Sequence, residues 1–174
     1  MKWIHRVRQF AFSSLFIYSL RCTLGFSIGY SLIKLLPDFD LFWSLLSIML
    51  VISPEGKDSP RLTTERVKAN LVGALAGLLV TFLPLESFGK CLAGIVLAAI
   101  ICYSFKLSNV SRTAVVAVII ILLEKPGDGF LASIERFISV LGGCLIGLLV
   151  VIVTGYLIRY LHKLLMKAEF RYDR

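Results

Sequence analysis

Apolar positions along this chain of 174 residues gather into six runs, separated by short polar breaks. The runs are Cys22–Leu36, Phe39–Ser53, Val67–Leu83, Cys91–Ser104, Thr113–Leu123 and Phe137–Leu161. Pro37-Asp38, Pro54-Glu55-Gly56, Pro84 and Pro126-Gly127 fall between them, where Pro and Gly mark loops. Helices that are apolar all round have no face for water, so the pattern predicts six membrane-crossing helices. Spans 2 and 5 contain only 15 and 11 residues, short of the ~20 that an ordinary span needs. Paired short segments point to a binding site or pore; a thin bilayer or snorkelling ends account for them equally. Before span 1, Phe10–Leu20 is too short to cross a core of about 30 Å. It predicts a segment lying along the interface, with Trp3 and Tyr18 at headgroup level. Its basic start (Lys2, Arg6, Arg8) mimics a signal peptide, but no small-residue cleavage site follows.

Composition supports the membrane reading and narrows it. Apolar residues make up 57% of the chain and charged residues 17%, with a mean hydropathy of +0.85, too little polar surface to coat a soluble core of this size. The net charge of +8 does not indicate nucleic acid, because the basic residues flank apolar runs instead of forming a stripe interleaved with aromatics. Under six spans, fifteen of the nineteen Lys and Arg fall on one side: those through Arg21, those from Glu55 to Lys68, Lys106 and Arg112, and those from Arg159 onward. Only Lys34, Lys90, Lys125 and Arg136 fall on the other. Cytoplasmic loops are enriched in Lys and Arg, which places both termini in the cytoplasm of a bacterial cell, with the chain multi-pass in the inner membrane.

An internal repeat adds architecture. Sliding the sequence by 70 residues brings Glu65-Arg66 onto Glu135-Arg136, and Gly73, Leu75 and Gly77 onto Gly143, Leu145 and Gly147. A slide of 69 brings Arg21-Cys22 onto Lys90-Cys91 and Gly25 onto Gly94. Each copy holds three spans, an odd number, so the second enters the membrane from the opposite face, as in many transporters. The predicted fold is an all-α membrane protein, six transmembrane helices arranged as two inverted-topology three-helix repeats. Residues 1–20 form the interfacial segment, 21–83 and 84–161 the repeats, and 162–174 a basic cytoplasmic tail.

Candidate chemistry is sparse. His5 and His162 sit in basic flanks and suit solvent better than catalysis. Cys22, Cys91, Cys102 and Cys144 lie in or at the ends of apolar runs without metal-ligand spacing, which reads as small buried thiols. No phosphate loop, catalytic triad or in-membrane carboxylate pair appears. The expectation is therefore no enzyme, no metal and no cofactor. Three Gly-x-x-x-Gly pairs, Gly25/Gly29, Gly73/Gly77 and Gly143/Gly147, allow close helix approach, within the bundle or across a homodimer. Arg21, Arg66, Lys68, Lys90, Arg112 and Arg136 stand at span edges. An Arg in hydrocarbon costs at least ~2.5–3.5 kcal/mol, so each faces headgroups, a partner or an aqueous path. The repeat sets Arg66 near the cytoplasmic end of span 3 and Arg136 near the external end of span 6, where they can give a pore positive potential at both mouths. Glu65 and Glu135 can offset them. Trp43 opens span 2 as an interfacial anchor or a path residue; Ser47, Asn70 and Thr113 can line a path or bond a neighbouring carbonyl.

Arg21 opening span 1, Pro37 before a short loop, Phe42-Trp43-Ser44-x-x-Ser47 in span 2, Arg66 followed by Gly73-Ala74-x-x-Gly77, and the recurrence from Arg136 to Gly147 together resemble a known membrane domain. It is that of the fusaric-acid-resistance and aromatic-acid-exporter superfamily, to which the plant aluminium-activated malate channels are related. The resemblance covers most of Arg21–Val153. It implies a six-span inverted-repeat bundle, a homodimer, and passage of small organic anions, with Arg66 and Arg136 matching pore-lining arginines. Ser47 stands where the family usually has threonine, and the large cytoplasmic domain of full-length exporters has no counterpart in these residues. Taken together, the expected partners are the lipid bilayer and small aromatic or carboxylate anions, carried along a path that includes Arg66, Arg136, Arg21, Arg112, Trp43, Ser47 and Thr113. The alternative is a non-transporting membrane scaffold or accessory subunit that docks a partner through glycine-rich helix faces.

Overall fold

The computed structural model describes residues 13–37, 39–124 and 129–172. Trp3, His5, the basic residues before Ser13, Asp38, Lys125 and Pro126-Gly127 lie outside the described residues. Among the described residues six α-helices run in order: α1 Ser14–Leu35, α2 Phe42–Val51, α3 Ser59–Thr81, α4 Ser87–Ser104, α5 Ser111–Glu124 and α6 Gly129–Tyr172, with a short 3-10 turn at Ser108–Val110 before α5. Of the described residues, three segments are long and apolar enough to cross a membrane: Ser14–Leu35, Ser87–Ser104 and, within α6, Ser133–Leu161. α3 has the length, but Arg61, Glu65, Arg66 and Lys68 occupy its first half. α2 and α5 are apolar and short.

The helices follow the six apolar runs but begin and end elsewhere. α1 starts at Ser14 and is unbroken through Arg21, so the stretch expected along the interface is continuous with span 1 from Ser14 onward. No Gly or Pro interrupts Ser14–Thr23, and Tyr18 and Cys22 pack against buried Ile48, Ile52, Val150 and Val151. α3 starts eight residues before its apolar run, with Pro60 at the first helical positions, where a missing N–H costs nothing. α6 runs through the residues expected as a separate tail, to Tyr172.

Short helices are clamped between long ones by glycines. Gly25 and Gly29 of α1 lie on Leu45 and Ile48 of α2 and on Ile52 just past its end. From the other side Gly143 of α6 sits on the Ser44 backbone, and a Cβ at Gly147 would stand 3.0 Å from the Ile48 carbonyl oxygen. α5 is held the same way. Gly73 and Gly77 of α3 meet Ala117 and Ile121, and Gly94 of α4 meets Val118 and Leu122. Absence of a side chain is what lets these backbones approach. The Gly73 and Gly143 sites therefore hold the short helices at backbone distance. α3 and α6 then pack on one another at the centre. Buried Ala69, Val72, Ala76, Ala98, Cys102 and Val118 fill the α3–α4–α5 junction, and Val51, Val140 and Cys144 fill that of α2, α3 and α6.

Polarity is inside out relative to a soluble domain. Leu92, Val96 and Ile100 form an exposed stripe on α4, and Leu145, Leu149 and Ile152 one on α6. Ser44, Ser47, Ser59, Thr63, Asn70, Arg136 and Thr154 are buried. Several satisfy themselves within the helix: Ser47, Thr63 and Thr154 donate to the carbonyls four residues back, at 2.6, 2.8 and 2.7 Å.

Candidate functional site

Two interior arginines converge on the short helix α2. Arg66, one-third of the way along α3, donates from Nε to Ser47 Oγ at 3.1 Å. Arg136, near the start of α6 and only 7% exposed, lays its guanidinium over the Trp43 ring, 3.5 Å from the centroid. Trp43 and Ser47 are four residues apart, one turn or about 6 Å along the helix axis. The carbonyl of Trp43 accepts the Ser47 hydroxyl proton, which leaves that oxygen's lone pairs facing Arg66. Asn70 closes the next turn by donating to the Arg66 carbonyl at 2.9 Å. The two guanidinium groups thus engage neighbouring turns of one helix.

Electrostatics at this junction are one-signed on the α3 side. Among the described residues no carboxylate pairs with Arg66 or Arg21. The ion pair between Lys57 Nζ and Glu55 Oε2, 2.8 Å long, lies on the exposed α2–α3 loop. There it holds the Glu55 carboxyl below and the Lys57 ammonium above their ordinary values. A guanidinium over an aromatic face is stabilised by the ring quadrupole, by ~2 kcal/mol or more when desolvated. The Trp43 face is one contact that stabilises the Arg136 cation where it is buried.

Arg21 forms a separate group at the other end of α2. It is 7% exposed, and its Nε donates to Thr154 Oγ1 of α6 at 3.0 Å. Its Nη1 packs on Gly56, whose φ of +69° turns the loop there; a Cβ would stand 2.5 Å away. Glycine is required at Gly56 on both counts. Arg159 donates from Nε to the Gly155 carbonyl at 3.2 Å. A Cβ on Gly155 would lie within 4 Å of both arginines. Arg112 and Thr113 open α5, and both are exposed, so the structure does not bring them to Arg66, Arg136 or Trp43. Sequence reasoning also missed Thr154, Gly56 and Arg159. The one aliphatic hydroxyl inside the run Val150–Leu161 was the available signal for Thr154, and Pro54-Glu55-Gly56 that for the turn.

Residues 24–150 match the sequence profile of a family described as fusaric acid resistance protein-like. Inner membrane protein YccS of Escherichia coli (strain K12) is 26% identical over 151 residues, covering 83% of this chain and 20% of YccS. The chain thus spans about a fifth of the length of that relative. No solved structure matches it. With the match running from the middle of α1 to the middle of α6 and taking in Trp43, Ser47, Arg66 and Arg136, the chain is a helical membrane protein that belongs to the fusaric acid resistance protein-like family.

Proposed function

We propose that this chain forms a transmembrane path for small organic anions of the aromatic or carboxylate class, with Arg66 and Arg136 as its electrostatic selectors. The observation that carries the reading is the convergence of both guanidinium groups on Trp43 and Ser47 of one short helix. A fixed cation in a low-dielectric surrounding attracts an anion far more strongly than it does in water. Two of them a turn apart along α2 give one cationic stretch, with the indole face beside it suited to an aromatic ring.

The reading takes the chain to cross six times, in two inverted repeats, and the packing is consistent with that. The slide of 70 that relates Gly73 to Gly143 also carries Ser44, Ile48, Val51 and Ile52 of α2 onto Ala114, Val118, Ile121 and Leu122 of α5. These are the residues that the glycines of the two halves meet. The name of YccS supports an inner-membrane location, and the basic bias supports cytoplasmic termini. A scaffold docking through glycine faces is less well supported, because Gly25, Gly29, Gly73, Gly77, Gly143 and Gly147 are all buried against helices of their own chain. A homodimer, which the family resemblance implies, would use the exposed apolar stripes instead.

Flux of benzoate and of a dicarboxylate into proteoliposomes tests the proposal. Arg66→Ala and Arg136→Ala are each expected to lower it at least tenfold, with partial recovery in the Lys variants. Undiminished flux in both Ala variants, at unchanged thermal stability, removes the selector role.

A further inference from the structure

Where α1, the α2–α3 loop and α6 meet, two guanidinium groups face one glycine. Arg21, nine-tenths buried, spends its Nε on Thr154 Oγ1. Among the described residues neither of its Nη atoms has a hydrogen-bond acceptor. Arg159 spends its Nε on the Gly155 carbonyl and stands 5.3 Å from the centre of the Tyr156 ring. No described carboxylate pairs with either arginine; Glu55 and Asp58 of the adjoining loop act on Lys57 instead. Gly155 lies between the two cations. Outside its own turn of helix, a Cβ there would meet two atoms within 4 Å, Arg159 Nη2 at 3.8 Å and Arg21 Nη2 at 3.9 Å.

Two positive charges this close repel one another, and a buried one without a counter-charge is costly. A bound anion relieves both. The arrangement is built in one half only. The slide of 69 carries Arg21 to Lys90, whose Nζ donates to the Thr81 carbonyl at 3.4 Å and so closes the end of α3. Arg21 has no such task for its Nη groups. The surroundings give the anion a body. Tyr156 and Tyr160 flank Arg159 on the exposed face of α6, and Leu149, Ile152 and Val153 continue that face as bare aliphatic surface. Tyrosines at the end of an apolar stretch mark the headgroup level, and Arg21 rests on a loop whose Glu55 and Lys57 reach solvent.

We infer that Arg21 and Arg159 hold the phosphate of an anionic phospholipid, with its acyl chains along the exposed face of α6 from Tyr156 to Leu149. The planar fork of a guanidinium matches a pair of phosphate oxygens, and basic pockets between helices at a membrane surface take anionic headgroups. A free phosphate ion offers the same oxygens, but it has no use for the aliphatic face that adjoins the arginines. The site stands at the opposite end of α2 from Trp43 and is independent of the proposed anion path.

Native mass spectrometry of the full chain in detergent, titrated with phosphatidylglycerol or with phosphatidylcholine of the same chains, reads the occupancy. Phosphatidylglycerol is expected to bind at least tenfold more tightly. Two variants are each expected to reduce that preference at least fivefold. One is Arg159→Gln, at an exposed position; the other is Gly155→Leu, which keeps both charges and fills the space between them from ordinary contact distance. Lys106→Gln, which removes one charge from the α4–α5 connection, is expected to leave the preference unchanged. Equal affinity for the two lipids, an undiminished preference in both Arg159→Gln and Gly155→Leu, or an equal loss in Lys106→Gln overturns the assignment. Displacement of the lipid by equimolar inorganic phosphate overturns it as well, since the free ion would then be the ligand.

Discussion

Neighbouring glycines of α6 have opposite tasks. Gly143 lies against the Ser44 backbone, while Gly142 faces open space. A methyl at 143 has to push two helix backbones apart, because a main chain cannot swing aside as a side chain can. Overpacking of this kind typically costs 1–3 kcal/mol. At 142 the added methyl meets nothing, and replacing a mid-helix Gly by Ala favours the helix by up to about 1 kcal/mol. Gly143→Ala is therefore expected to lower the midpoint of thermal unfolding in detergent by several degrees, whereas Gly142→Ala leaves it unchanged or slightly raised. Equal loss in both variants would mean that the α2–α6 contact is looser than described.

At the scale of elements, α2 is the part on which the candidate site depends. Ten residues make about 15 Å of helix, half of a bilayer core of ~30 Å. Such a helix cannot be fixed by its length, and it is fixed by what grips it: glycines from α1 and α6, and the Arg136–Trp43 and Arg66–Ser47 contacts. Trp43→Leu stays apolar but is smaller and removes the π face, so Arg136 loses ~2 kcal/mol of cation–π stabilisation together with some packing. Both unfolding temperature and anion flux are expected to fall, and Trp43→Phe to recover part of each. Identical behaviour of the Leu and Phe variants would show that the ring contributes volume alone. The existence and order of the six helices were legible in the apolar runs, because burial in lipid demands an apolar sequence. Their ends were not. Ser59–Arg66 and the turns beyond Leu161 are helical although polar, and hydropathy records the lipid-facing part of a helix, not its extent. The choice of Arg66 and Arg136 came from the repeat and from the family resemblance. Their meeting on one helix was hidden, because it depends on an inequality between equivalent positions. Where α2 offers Trp43 and Ser47, α5 offers Thr113, which is exposed, and Ala117, which is a methyl. Arg136 finds its aromatic face only on α2.

For the whole molecule, α2 packs on α6 and α5 on α3, so each short helix is held by the third long helix of the other half. The inverted-repeat proposal then fixes which loops share a compartment. Cysteines introduced singly at Lys57 and Lys106, in a variant lacking the native four, are expected to react with a membrane-impermeant maleimide only in inside-out vesicles. A cysteine at Lys90 is expected to react only in right-side-out spheroplasts. Finding Lys57 and Lys90 labelled from the same side would remove the inverted arrangement, and the orientation of the proposed path with it.

α6 is unbroken from Gly129 to Tyr172. At 1.5 Å per residue it is a rod of about 66 Å, more than twice the bilayer core. Arg136, Gly143 and Thr154 ride on that rod together with the turns past Leu161. Unbroken helices bend only gently, so a sideways push on its far end swings the whole shaft about its grip on α2. Arg159 and Arg136 stand about 35 Å apart along it, so the turns past Leu161 and the guanidinium seated on Trp43 belong to one stiff element.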